Sequence, residues 1–203
     1  MIINFLGDSI TEGYCASSLS KGFVSIVGEK IHAKVNNYGI AATRIAKQSS
    51  VYDDQSFFGA RVKDMDKNAD MVIVFGGTND YGHGDAPVGD IGDTSPDTFY
   101  GGMNYLINEL NKYFSRKRII FILPTYRVNE DNPFGEYKTK RGHSLQVYRD
   151  AIVEVLNKHN IEYWDIKDEL GDPTNDLYYD GLHPNDKGHE KIAEIIINKL
   201  RHE

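Results

Sequence analysis

Ile2-Ile3-Asn4-Phe5-Leu6-Gly7-Asp8-Ser9-Ile10 is the stretch on which the fold turns. It opens as an apolar run without the polar alternation of a half-exposed strand, then stops at a glycine turn carrying a serine. A strand buried on both faces reads this way, because helices cover a parallel sheet on both sides. The runs from Met71 to Phe75 and from Ile119 to Leu123 repeat the pattern, and Ala33 to Asn37 and Ile161 to Trp164 are weaker versions of it.

Between these runs, apolar residues recur at helical spacing. Phe23, Val24, Ile26, Val27 and Ile31 form one face, and Tyr105, Leu106, Leu110, Tyr113 and Phe114 a second. Leu145, Tyr148, Ile152, Val155 and Leu156 form a third, with Gly142 near its start, and Ile192, Ile195, Ile196 and Leu200 a fourth. Pro184 and Asp186 open the last helix. Strand and helix alternate throughout, which predicts a three-layer α/β/α sandwich in a single domain, 1–203. The stretches from Asp80 to Asp97 and from Tyr126 to Tyr137 are rich in polar and turn-forming residues and have no period, so they read as long loops of the kind that carry function.

The chain has 203 residues, 40% hydrophobic and 26% charged, enough for a full core in a soluble protein. A net charge of -7 disfavours a nucleic-acid partner. The only cysteine is Cys15, so no intrachain disulfide forms, and the residue reads as a small packed bystander. Met1-Ile2-Ile3 begins a strand with no basic leader, and no apolar run approaches the ~20 residues of a membrane helix. The expected location is cytoplasmic, with no membrane span.

Ser9, Gly76-Gly77-Thr78-Asn79 and Pro124-Thr125-Tyr126 each follow a strand. In an open parallel sheet the carboxyl ends of the strands share one edge, where ligands bind. Asp180-Gly181-Leu182-His183-Pro184 precedes the last helix and reaches the same edge. Each motif has a plain reading. Ser9 alone suits a helix cap, Asn79 and the Asp180–Gly181 pair suit turns, and Gly39 alone says little. His189 falls inside the last helix and reads as packing or surface. Taken together, the motifs supply one mechanism. A serine becomes a nucleophile when a base lies in hydrogen-bond reach and a third group orients that base. His183 is the base candidate, Asp180 its orienter, and Asn79 a donor for a developing oxyanion.

This set resembles the SGNH (GDSL) hydrolase family over almost the whole chain. Gly7-Asp8-Ser9-Ile10 looks like its first block, Gly39 its second, Gly76-Gly77-Thr78-Asn79-Asp80 its third, and Asp180-Gly181-Leu182-His183-Pro184 its fifth. Isoleucine stands at position 10 where the family has leucine, an apolar variant. The resemblance implies a flavodoxin-like sheet of five parallel strands. It implies catalysis by Ser9, Asp180 and His183, and an oxyanion hole from the Ser9 and Gly39 backbone N–H groups with the Asn79 side chain. It implies no metal and no organic cofactor. The expected substrate is a small-molecule carboxylic ester, with a short acyl chain and an acetylated carbohydrate favoured over a long-chain lipid. Asp8, Tyr81, His83 and Tyr126 are the candidate substrate contacts, with Arg127 and Phe134 as further wall residues, and Arg44 reads as an exposed arginine. Two rivals use the same edge. A flavodoxin-like protein would bind an FMN phosphate at Ser9 and Thr11, and a metal phosphoesterase would draw ligands from Asp8, Asn79, Asp80 and His183.

Overall fold

The computed structural model describes residues 1–114, 118–132 and 143–201. Five parallel strands form one sheet: β1 (Ile2–Gly7), β2 (Lys34–Gly39), β3 (Met71–Phe75), β4 (Arg118–Ile122) and β5 (Glu162–Trp164), in the order β2-β1-β3-β4-β5. The helices are α1 (Ser9–Glu12), α2 (Phe23–Lys30), α3 (Phe58–Arg61), α4 (Thr78–His83), α5 (Phe99–Phe114), α6 (Leu145–Lys158), α7 (Lys167–Leu170) and α8 (Asp186–Arg201). The two weaker strand readings hold as the two edge strands. Edge strands carry fewer core side chains, which is why their apolar signal is thin.

Successive strand residues point to opposite faces, and each face has its own helices. Leu6, Val72, Val74 and Phe121 pack with Phe58, Leu106, Leu110 and Ile152 of α3, α5 and α6. Ile3, Phe5, Ile73 and Ile120 pack with Phe23, Val27, Ile192 and Ile196 of α2 and α8. Full burial of each such side chain contributes roughly 1.5–3 kcal/mol. Asn4 is the polar exception in the centre of β1. Its Nδ2 donates to the Asp66 carbonyl at 2.9 Å and its Oδ1 accepts from Asn36 at 2.9 Å, so the buried amide is satisfied.

The chain leaves β1 in one direction to form β2 and returns past it to form β3. The sheet order therefore reverses beside β1, and the crevice outside the carboxyl ends of β1 and β3 is where such folds bind ligands. The register aligns those ends, pairing Gly7 with Gly39 and with Phe75. The expected loop from Asp80 differs, since α4 occupies its first residues through His83. Phe134, Gly142 and the far end of the Tyr126–Tyr137 stretch lie outside the described residues. No helix among the described residues is long and apolar enough to cross a membrane.

Candidate active site

Ser9 is the first residue of α1, immediately after the turn that ends β1. Asp8 caps that helix, its Oδ1 accepting the Ile10 N–H at 3.0 Å. Ser9 Oγ lies 3.0 Å from His183 Nε2, and His183 Nδ1 lies 2.7 Å from Asp180 Oδ2. Hydroxyl, imidazole and carboxylate thus stand in one hydrogen-bonded line, although the first is 174 residues from the second.

The local sequence explains the hold on the imidazole. Asp180 Oδ1 accepts the backbone N–H groups of Leu182 (3.0 Å) and His183 (2.8 Å), closing a turn that leaves Oδ2 for the ring. Gly181 takes φ +82, a conformation that glycine adopts without strain. The loop is fastened at both ends. Tyr179 N–H donates to the His183 carbonyl at 2.8 Å, and Asn185 Oδ1 caps α8 by accepting from Lys187 and Gly188. Burial opposes the charge on Asp180, but the hydrogen bonds from His183 backbone and ring and from Leu182 outweigh it and hold the carboxyl below its ordinary range. The Tyr14 ring meets the His183 ring edge-on at 4.7 Å. The buried His189 steadies Tyr14. Its Nδ1 accepts the Phe23 N–H, so its Nε2 carries the proton and donates to the Tyr14 carbonyl at 3.2 Å.

These groups face a cavity of about 420 Å³, within the size range of small-molecule sites. Asn79, His83 and Arg127 give it polar walls, and Tyr14, Ala41, Ala42, Val128 and Leu182 apolar ones. Asn79 is held from both ends. Its Nδ2 donates to the Thr43 carbonyl at 3.1 Å, and its Oδ1 lies 3.1 Å from His83 Nε2. The Arg44 guanidinium donates to His83 Nδ1. An arginine only donates, so Nδ1 is unprotonated and Nε2–H donates to Asn79. The amide orientation follows from Arg44, two hydrogen bonds away. The carboxylate of Asp80 fixes the segment that follows Thr43 by accepting the N–H groups of Ile45 and Ala46, each at 2.9 Å.

Several sequence expectations are corrected. The Gly39 N–H donates to Asn37 Oδ1 at 2.8 Å, and Gly39 does not line the cavity. Its glycine answers to packing, because a Cβ there would stand 2.1 Å from Glu12 N. Ala42 does line the cavity, in the left-handed region at φ +61. Among the described residues, neither its N–H nor that of Ser9 has a hydrogen-bond acceptor. Of the four candidate substrate contacts, only His83 lines the cavity. Asp8 is buried as the α1 cap. Tyr81 is buried, its single hydroxyl proton shared between the carbonyls of Asn129 and Asn132. Tyr126 lies on the adjacent surface, its hydroxyl donating to Asp168 at 3.1 Å. Arg44 is half-buried against His83 rather than free in solvent. The rivals lose their ligand sets. The Thr11 side chain is buried against Gly7 and forms no open phosphate cradle. Asp8 and Asp80 are buried, with Asp8 Oδ1 and both Asp80 carboxylate oxygens accepting backbone N–H groups, and among the described residues neither is grouped with His183 as a candidate metal ligand. The sequence reading missed Tyr14, Ala41, Ala42, Val128 and Leu182. The one available signal was their position beside the motifs.

The chain matches known proteins over nearly its whole length. Its fold resembles a protein from Lactobacillus plantarum at 26% identity, covering 98% of this chain and 96% of that one, with a TM-score of 0.84. It also resembles a member of the lipolytic protein G-D-S-L family from Veillonella parvula (18% identity, 99% and 98% covered, TM-score 0.69). A carbohydrate acetylesterase family member from Sinorhizobium meliloti is similar at 14% identity, with 99% and 97% covered and a TM-score of 0.69. At these last two identities the likeness concerns the fold alone. No curated protein matches the chain. The model of the GDSL-like lipase/acylhydrolase family matches residues 5–191, and with that match the chain belongs to the GDSL-like lipase/acylhydrolase family.

Proposed function

We propose that the protein is a serine esterase that cleaves short-chain carboxylic esters through an acyl-enzyme on Ser9, the whole chain acting as one hydrolase domain. The observation that carries the reading is the line from Ser9 Oγ through His183 to Asp180, 3.0 and 2.7 Å long, at the wall of the cavity. Ser9 attacks the ester carbonyl while His183 Nε2 takes its proton. Asp180 holds the Nδ1–H and stabilises the imidazolium that forms. The tetrahedral oxyanion is received by the Ser9 N–H, the second Asn79 amide hydrogen and the Ala42 N–H, which takes the part expected of Gly39. His183 then protonates the leaving alcohol, and water attacks the acyl group in the reverse sense.

The walls argue for a small acyl group. Ala41, Ala42, Val128 and Leu182 offer modest apolar surface, and Arg127 suits a polar alcohol such as a sugar. An acetylated carbohydrate meets both conditions, a reading to which the acetylesterase fold neighbour adds support. The test is a panel of p-nitrophenyl esters of rising chain length beside acetylated sugars. The expected result is a maximum at acetate or propionate and release of acetate from the sugars. A preference for long acyl chains would overturn the substrate assignment.

A further inference from the structure

Cys15 has no task in the ester chemistry, yet its Sγ, a ligand nitrogen of His183 and a carboxylate oxygen of Asp180 all lie within 4.8 Å of one another. We propose that Cys15, Asp180 and His183 form an inhibitory site for a thiophilic divalent cation such as Zn²⁺.

The donor set is specific. Thiolate, imidazole and carboxylate are the three side-chain ligands of Zn²⁺, and three protein ligands plus a water complete its tetrahedron. Mg²⁺ and Ca²⁺ call for six or more oxygens, which this corner lacks. At ordinary metal–ligand distances, tetrahedral donors stand about 3.4–3.6 Å apart. The Asp180–His183 contact of 2.7 Å therefore opens somewhat and the thiol closes in. Both are side-chain movements at a half-buried to exposed position. The ion reaches the thiol from a surface hollow lined by Cys15, Ser17 and Asn185, outside the ester cavity.

Binding forms bonds from the metal to Cys15 Sγ, Asp180 oxygen and His183 Nδ1. It releases the thiol proton to solvent, the imidazole proton moves from Nδ1 to Nε2, and the ion keeps one water of its hydration shell. The cation then occupies the place of the proton shared by Asp180 and His183. With the metal on Nδ1 the single ring proton sits on Nε2, which then has no lone pair to take the proton of Ser9. The device is reversible by chelation.

The test uses the metal alone. Zn²⁺ is titrated calorimetrically into the chelator-stripped protein, and Cd²⁺ is followed by thiolate-to-metal charge-transfer absorption. Wild type is compared with Cys15→Ser and His183→Ala, each checked for a wild-type melting curve. One ion per chain is expected, with affinity lowered at least about tenfold in both variants and the charge-transfer band absent in Cys15→Ser. Hydrolysis of p-nitrophenyl acetate by Cys15→Ser should proceed normally and resist Zn²⁺ that inhibits wild type. Unchanged Zn²⁺ affinity in Cys15→Ser overturns the proposal, as does unchanged affinity in His183→Ala or the absence of binding to wild type. The binding arms read the site even for a protein with no esterase activity, so the two readings fail separately.

Discussion

Arg44 never touches the cavity's chemistry, yet through His83 it sets which end of the Asn79 amide faces inward. Removing one oxyanion donor costs about 10²–10³ in kcat, and an ill-aimed donor loses a share of that. His83→Leu is expected to lower kcat about 10- to 100-fold with little change in KM, whereas His83→Gln, which keeps a donor near Nε2, recovers most of the rate. In an Asn79→Ala background His83→Leu should cost nothing further, because groups that act as one unit are not additive. Additive losses would mean that His83 acts on substrate directly. The meeting of Ser9, Asn79, Asp180 and His183 was legible because each stands beside a strand end or helix start in a short motif. The misreading of Gly39 has a physical source. A glycine signals freedom or crowding, and spacing alone does not say whether its N–H faces a ligand or, as here, Asn37. Nor does it say which way an aromatic ring such as Tyr81 or Tyr126 turns from its loop.

Among the elements, the buried strands and the long amphipathic helices announced themselves through period, whereas α1, α3 and α7 did not. Each has four residues, too few for a 3.6-residue repeat to register, and each depends on what it packs against. The contact between α1 and the end of β2 is the sharpest case, since Gly39 meets the backbone of Thr11 and Glu12. Backbone does not yield as a side-chain tip does. Gly39→Ala is therefore expected to destabilise the protein by about 1–3 kcal/mol, the usual cost of overpacking, read as a lower midpoint in urea. Unchanged stability would show that the element does not need this close approach. Ala42→Gly should do the reverse, relieving a left-handed alanine while keeping its N–H in place.

At the scale of the molecule, the sheet gathers its functional groups by burying charge beneath them. Burial raises the Asp8 carboxyl to about 7, with the negative Asp80 adding to the effect against the Ile10 N–H. Burial likewise raises Asp80 to about 6, against the N–H groups of Ala46 and Ile45. Each carboxyl binds its proton more tightly folded than unfolded. Its contribution to stability is full below about pH 4 and is lost as pH rises toward 6 or 7. Asp8→Asn keeps the helix cap and removes one such titration. The variant's stability relative to wild type should climb between pH 4 and 8, by on the order of 2–4 kcal/mol, in denaturant melts at each pH. A flat difference would mean that Asp8 is charged in the fold at no cost.

The account rests on Ser9 being made nucleophilic by His183. Intact-mass analysis after exposure to a fluorophosphonate tests this most directly. One adduct per chain is expected, mapped to Ser9, absent in Ser9→Ala and formed far more slowly in His183→Ala. Ester hydrolysis should fall about 10⁶-fold in Ser9→Ala. No adduct on the wild-type protein, or an adduct elsewhere with Ser9→Ala hydrolysing esters at the wild-type rate, would contradict it.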